Sequence, residues 1–206
     1  AATGAIVWQR QIPAAYATSL AANAAHVSVG LARVPSPDVL APLVTLLDVG
    51  SGAPLWSQPI AAPSPGNGAT QRLAFDPHGN VIAACEVSTP ARHSPCGVKL
   101  DAATGAEQWS QTVTGSGDDG FTAVGYYGGI VTDTAGNVTA GVPLRNTGSF
   151  IDYTLASLDG ATGAERWRRS LDGTAVVVPE DVYGFEDLDQ VNGIAAAGDG
   201  PVVVVG

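Results

Sequence analysis

The sequence predicts an all-β protein: consecutive four-stranded antiparallel blades of a β-propeller, with about four repeats present as part of a larger ring. The first reason is a motif written four times, each copy ending in tryptophan. The copies run from Ala2-Thr3-Gly4 to Trp8, from Leu47-Asp48 through Gly52 to Trp56, from Leu100-Asp101-Ala102-Ala103-Thr104-Gly105 to Trp109, and from Leu158-Asp159-Gly160-Ala161-Thr162-Gly163 to Trp167. Each Trp follows its motif Gly by four residues, and the tryptophans are 48, 53 and 58 residues apart. Self-similarity at such a period marks a repeat architecture with one supersecondary unit per copy. The second reason is a further motif between the tryptophans. Leu73-Ala74-Phe75-Asp76-Pro77-His78-Gly79-Asn80-Val81 matches Ile130-Val131-Thr132-Asp133-Thr134-Ala135-Gly136-Asn137-Val138. Residues 194–202 form a weaker copy, with Ala197 for the Asp and Pro201 for the Asn, and residues 20–27 form one with a shorter turn. The third reason is negative. No segment sustains a 3.6-residue apolar period, and 26 Gly with 14 Pro suit a chain of many turns.

Each unit reads as four strands. An inner strand ends at the Asp-x-x-Gly-Asn turn, where Gly and Asn accept positive φ and Asp ties down the backbone. A second strand leaves from the following Val. After a loop of roughly ten residues, which covers residues 86–95 in one unit, a third strand runs into Leu-Asp. The Asp-x-x-Thr-Gly turn then leads to an outer strand carrying the Trp. On this reading residues 1–16 are the outer strand of a cut blade. Residues 17–60, 70–112 and 128–171 are complete blades, and residues 192–206 begin a further one. Unpaired strand edges and an apolar blade face are then expected to be covered, by more of the polypeptide or by another chain.

Composition excludes several classes of partner. The net charge is −10 and Lys99 is the single lysine, so the basic footprint of a nucleic-acid binder is missing. No run approaches the roughly 18 apolar residues of a membrane span. The chain begins without a signal-like segment, as expected of a mature or trimmed polypeptide.

Two cysteines carry the compartment signal. Cys85 ends a second strand and Cys96 begins the third strand of the same unit. Counting from the motif Val and Asp, their counterparts are Leu31 and Leu43 in one unit and Val142 and Thr154 in another. Opposed positions in a hairpin have Cβ atoms about 4–5 Å apart, close to the separation in a disulfide. A bonded pair implies the periplasm or the cell exterior; two buried thiols are the alternative. Ten intervening residues, with no Cys-x-x-Cys or clustered His, do not make a tetrahedral metal set.

The pattern Leu-Asp-x-x-Thr-Gly-x-x-x-Trp resembles the tryptophan-docking repeat of the pyrroloquinoline-quinone-type propellers. The Asp-x-x-Gly-Asn-Val element is similar to that of bacterial secreted propeller repeats. The resemblance implies that Trp8, Trp56, Trp109 and Trp167 pack between neighbouring blades. It also implies that Asp48, Asp101 and Asp159, with Gly52, Gly105 and Gly163, build the receiving turns. Such propellers include quinone-dependent alcohol dehydrogenases, outer-membrane assembly lipoproteins and uncharacterised surface proteins, so function has to come from the site. A dehydrogenase needs an aromatic floor under the quinone, acidic and amide calcium ligands, and a catalytic Asp. That set cannot be placed on this sequence, so pyrroloquinoline quinone is not the expected cofactor.

Catalytic signatures are otherwise sparse. His26 and His78 sit in repeat turns, and His93 falls within the expected loop. No Gly-x-Ser-x-Gly or phosphate-loop pattern occurs. Tyr126 and Tyr127 read as core beside an inner strand. What departs from the repeat is acidic: Asp118 and Asp119 in one linker, and Asp172, Glu180, Asp181, Glu186, Asp187 and Asp189 in the long linker 171–192. Variable loops over a rigid scaffold commonly carry binding, so these residues form the candidate binding rim; a solvated acidic surface that keeps the protein soluble is the alternative. Asp187 and Asp189 are the candidates for calcium, although Val191 and Gly193 break the calcium-loop pattern. The reading is a non-catalytic, extracytoplasmic propeller that binds protein partners or acts as a scaffold. The alternative is the propeller portion of a quinone-dependent alcohol or sugar dehydrogenase.

Overall fold

The computed structural model describes residues 5–13, 15–36, 39–61, 67–89, 92–116, 128–144, 152–171, 193–196 and 202–205. Every regular element among them is a strand. The first sheet holds β1 (Ala15–Ala22), β2 (His26–Ser36), β3 (Val39–Asp48) and β4 (Pro54–Pro59). The second holds β5 (Asn67–Phe75), β6 (Val81–Thr89), β7 (Arg92–Leu100) and β8 (Glu107–Thr112). The third holds β9 (Gly129–Thr132), β10 (Val138–Leu144), β11 (Asp152–Leu158) and β12 (Glu165–Leu171), and β13 (Gly193–Ala196) with β14 (Val202–Val205) forms a two-stranded sheet. Each four-stranded sheet is an antiparallel meander in chain order, and the sheets do not close on one another. These are propeller blades.

The blades stack through apolar faces. Because successive strand residues point to opposite sides, β6 serves two interfaces at once. Val81, Ala83 and Cys85 pack with Val44 and Leu46 of the first sheet and with Ile60 just after β4. Ile82 and Trp109 pack with Val138 and Leu158 of the third. A strand buried on both faces reads as a continuous apolar run rather than an alternating one, which is the character of residues 81–85. The first strands of successive sheets lie side by side. Thr132 Oγ1 donates to the Phe75 carbonyl (2.9 Å), and Thr18 Oγ1 donates to that of Thr70.

One irregularity recurs at the same place in each blade. The register between third and fourth strands shifts just before the turn, so Trp56 faces Leu46, Trp109 faces Lys99 and Trp167 faces Ser157. A bulge re-aims the side chains that follow it, and here it places each tryptophan beside the second residue before the motif Asp.

Three expectations are corrected in detail. Residues 86–89 and 92–95 are strand rather than loop: β6 and β7 remain paired out to Thr89 and Arg92, so His93 lies on a strand opposite Ser88. The apolar run stops at Cys85, but a hairpin ladder needs no apolar face to continue. Residues 5–12 carry Trp8 as expected yet belong to no strand among the described residues. The first strands also begin earlier than the expected boundaries, at Ala15 and Asn67.

The register of the cysteine hairpin matches the count from the motifs. Cys85 pairs with Cys96, Leu31 with Leu43 and Val142 with Thr154. Cys85 and Cys96 are joined in a disulfide across a Cα separation of 5.0 Å. Non-reducing intact mass should therefore fall about two hydrogens below the reduced mass. Reduction should lower stability by about 3 kcal/mol in the chain-entropy model. Ready labelling of both thiols in the native, unreduced protein would contradict this.

Candidate functional site

The turn end of the blades is where the conserved chemistry of the repeat collects, and it is built from two hairpin turns per blade. In the outer turn the motif Asp caps its own backbone. Asp101 Oδ1 accepts the N–H groups of Ala103 (3.1 Å) and Thr104 (2.9 Å) and the Thr104 hydroxyl (2.8 Å). Asp159 does the same with Ala161 and Thr162, and Asp48 with Ser51. The hydroxyl bond from Ser51, Thr104 or Thr162 is the main cause holding each of these carboxyls below the usual Asp range. The turn closes on Gly52, Gly105 or Gly163, each at a φ near +70° that L side chains rarely adopt.

That glycine receives a tryptophan from the neighbouring unit. A Cβ on Gly105 would lie 2.7 Å from the Trp56 indole, on Gly163 2.8 Å from Trp109, and on Gly52 2.6 Å from Trp8. Each ring also donates its Nε1–H to the carbonyl one residue after the motif Asp. Trp8 reaches Val49 (2.8 Å), Trp56 reaches Ala102 (3.0 Å) and Trp109 reaches Gly160 (3.2 Å). Trp167 is different: it is 42% exposed against 7% for Trp109, and no described turn lies against it.

The inner turn locks onto the same residue from within the blade. Asn80 Oδ1 accepts the Ala102 N–H (3.1 Å), and Asn137 Oδ1 accepts that of Gly160 (3.2 Å). Asn80 and Asn137 are held in turn by Asp76 and Asp133, at 2.9 and 2.7 Å. In the first sheet, whose turn is one residue shorter, Val49 N–H bonds to the Ala25 carbonyl instead (2.9 Å).

Sequence reasoning missed the most unusual member of this network. Lys99 Nζ lies 2.9 Å from Asp76 Oδ2 and donates to the Gly160 carbonyl of the next blade at 2.7 Å, with both side chains buried. Because Lys99 and Trp109 are cross-strand partners, they leave the sheet on the same side and share the Gly160 acceptor. The only signal in the sequence was a lone lysine set between Val98 and Leu100; the corresponding residues are Leu46 and Ser157. Burial pushes the Asp76 carboxyl up, but the bonds from Lys99 and Asn80 outweigh it and hold the group below its ordinary 3.8. Asp133, in the equivalent place, has Arg166 at 3.9 Å.

Chemically this is a clamp. The carboxylate and ammonium neutralise each other, and the turn carboxylates are occupied by their own backbone. A gap of about 10 Å³ lies between the second and third sheets, lined by Ile82, Ala84, Trp109, Ile130 and Leu158 among others. That volume is roughly one water-sized sphere, too small for a ligand. Among the described residues, no group of three His, Cys, Asp or Glu could hold a metal ion, and no helix is long and apolar enough to cross a membrane. His26 begins β2 opposite Asp48, and His78 N–H donates to Asp76 within the inner turn. The expected rim residues Asp118, Asp119, Glu180, Asp181, Glu186, Asp187 and Asp189 lie outside the described residues, as do Asp172, Tyr126 and Tyr127.

A family model described as outer membrane protein assembly factor BamB matches residues 97–185, a stretch that includes Lys99, Trp109, both outer turns around them and Trp167. None of the curated proteins matches the chain in sequence. Among solved structures, the chain is similar to the quinohemoprotein alcohol dehydrogenase ADHIIG from Pseudomonas putida HK5 at 14% identity and a TM-score of 0.55, over 90% of this chain and 30% of that one. BamB from Moraxella catarrhalis aligns at 18% identity and a TM-score of 0.46, over 79% of this chain and 39% of that one. A europium-containing methanol dehydrogenase gives 18% and 0.46, over 79% and 27%. The chain thus spans well under half the length of each of these structures.

Trp109→Ala should cost about 3–5 kcal/mol, as for other buried large aromatics, and Trp167→Ala should cost clearly less; equal losses in chemical denaturation would contradict the exposure difference. Lys99→Met strands the Asp76 carboxylate and should cost about 3–5 kcal/mol, whereas Asp76→Asn combined with Lys99→Met should recover much of it. The folded pKa of Asp76 is depressed, so the clamp contributes fully above the ordinary carboxylate value and is lost as pH falls through the folded one. Stability of the double variant should accordingly fall less between neutral pH and about pH 2 than that of the wild type, measured by urea unfolding across that range.

Proposed function

We propose that this chain is the propeller part of an extracytoplasmic, non-catalytic scaffold that holds protein partners through its variable linkers. The observation that carries the reading is where the repeat's polar groups go. In the described blades, Asp48, Asp76, Asp101, Asp133 and Asp159 are bonded within turns, and three tryptophans are bonded between neighbouring units. The turn end thus supplies rigidity, and recognition falls to the linkers. Two further observations support it: the match to an outer membrane protein assembly factor over residues 97–185, and a disulfide, which suits an oxidising compartment.

The linker 171–192 carries six acids and no base, and Asp118 and Asp119 add two more from the preceding linker. An acidic rim favours a basic protein surface, with association that weakens as salt shortens the Debye length to below roughly 8–10 Å. The same carboxylates, Asp187 and Asp189 above all, are the proposed calcium ligands if the rim holds a cation.

The test uses the full-length protein and a lysine-rich peptide as probe, with binding read by fluorescence anisotropy. Changing Asp181, Glu186, Asp187 and Asp189 to Asn or Gln should weaken binding at least tenfold, leave the melting temperature unchanged, and remove the salt dependence. Unchanged affinity, with no calcium-induced shift in melting temperature, would remove the rim from the proposal. Dye-linked alcohol oxidation by the full-length protein reconstituted with pyrroloquinoline quinone and calcium would overturn the scaffold reading in favour of a dehydrogenase.

A further inference from the structure

β7 is supported unevenly along its length. From Leu100 back to Cys96 it is paired on both sides, with β6 and with β8. Just past Cys96, a bond from Val113 N–H to the Pro95 carbonyl (3.1 Å) prolongs the support from the β8 side. Residues 92–94 then pair only with β6 in the described ladders. β6 itself is braced further out, because β5 pairs with it as far as Asn67 opposite Ser88. The weakly supported piece is therefore an edge, the stretch of β7 from Arg92 to Ser94.

The first sheet has the same construction without a crosslink. β4 pairs with β3 only from Leu43 inward, and Ile60 N–H bonds to the Pro42 carbonyl (3.0 Å). Where the second sheet has Cys85 opposite Cys96, the first has Leu31 opposite Leu43. Past Leu31 the ladder loses register between Arg33 and Ser36, and β2 spends one residue more than β3 before the last pair, Ser36 with Val39. Past Cys85 the ladder keeps register to the last pair, Thr89 with Arg92. The same support thus gives a shifted edge under a leucine pair and a regular one under the disulfide.

Register is strongly specified where a strand alternates apolar and polar residues over a core, and weakly where it does not. Glu-Val-Ser-Thr at 86–89 and Arg-His-Ser-Pro at 92–95 carry no such pattern. A disulfide supplies what they lack. Its two Cα atoms are 5.0 Å apart; a slip of one residue would carry them about 3.3 Å along the strand and turn one sulfur to the opposite face. We propose that the Cys85–Cys96 bond is a register pin for the edge at residues 92–94, and that a dithiol reductant frees this edge while the rest of the blade stays folded. Cys85 is fully buried in the seam with the first sheet and Cys96 is partly buried beside it, so exchange begins at Cys96. A thiolate of the reductant bonds to the Cys96 sulfur, and the Cys85 sulfur leaves with the electron pair and takes up a proton. The second thiol of the reductant then attacks the first, which releases Cys96 as a thiol and leaves the reductant as a disulfide. The seam persists because two thiols occupy the place that Leu31 and Leu43 hold in the first sheet. The edge lies at the end of the blade away from the motif turns, and its control is separate from the acidic rim.

The experiment is hydrogen exchange on the full-length protein, resolved by overlapping peptides. Three samples are compared: untreated wild type, wild type in dithiothreitol, and Cys85→Leu combined with Cys96→Leu, which installs the pair of the first sheet. Exchange over residues 92–94 should rise at least about tenfold in the second and third samples, while residues 97–100 stay within about twofold of the first. Unchanged exchange at 92–94 in the samples without the bond would overturn the pin. Equal acceleration at 92–94 and 97–100 would overturn it as well, because the bond would then hold the blade as a whole. A bond that withstands dithiothreitol in the native protein, yet is reduced once the protein is denatured, would overturn release by a reductant.

Discussion

An indole lying on a glycine is the contact on which the rest of this fold depends. The glycine must lack a Cβ, because one would come within 2.6–2.8 Å of the ring, and it must close a turn at positive φ. The ring's N–H then finds a carbonyl of the same turn, one residue after the motif Asp. A buried indole brings large apolar area and needs a partner for its single donor; here both needs are met by the same turn. The residue that offers the carbonyl offers its N–H to the inner turn's Asn, and that Asn is held by Asp. Position therefore passes along a line, from the tryptophan of one blade through two turns of the next.

The seams are not identical, and the differences explain the lone lysine. Beside each tryptophan the bulge places one cross-strand neighbour, Leu46, Lys99 or Ser157. Leu46 joins the apolar core between the first two sheets. At the next seam Lys99 reaches past Trp109 to the same Gly160 carbonyl and brings its charge to Asp76. Burying a pair of charges gains little net stability over apolar packing but penalises any arrangement that separates them. Lys99 thus ties the inner turn of its own blade, at Asp76, to the outer turn of the next, at Gly160. At Ser157 the neighbouring tryptophan is the exposed one, Trp167.

A turn end occupied in this way has few polar groups left for chemistry. Its carboxylates are tied to backbone amides, and its buried amine is tied to a carboxylate. Such a frame suits a protein whose variable parts do the recognising, because loops can change without disturbing a seam made of turn residues. The small apolar gap between the second and third sheets and the disulfide in the β6–β7 hairpin belong to the same frame.

The repeat, the strand order within a blade and the cysteine register were legible in the sequence. Each depends on local rules: turn residues at fixed offsets, apolar runs between them, and a side-chain period of two. Counting from Val81 and Asp101 was enough to set Cys85 opposite Cys96, since antiparallel pairing from a short turn leaves no freedom of register. Strand ends were less legible, because residues 86–89 and 92–95 continue the β6–β7 pairing without an apolar run to mark it. Lys99 was not legible as a clamp, because its partners are one turn in its own blade and one in the next, 61 residues away at Gly160. Likewise, four tryptophans with one spacing looked equivalent, and only the neighbour that each one meets separates Trp109 from Trp167. Sequence alone determined the unit and its hydrogen-bonding turns, which are local. Tertiary structure decided which units touch, and so which charge is buried and which tryptophan is covered, because those depend on groups brought together from distant parts of the chain.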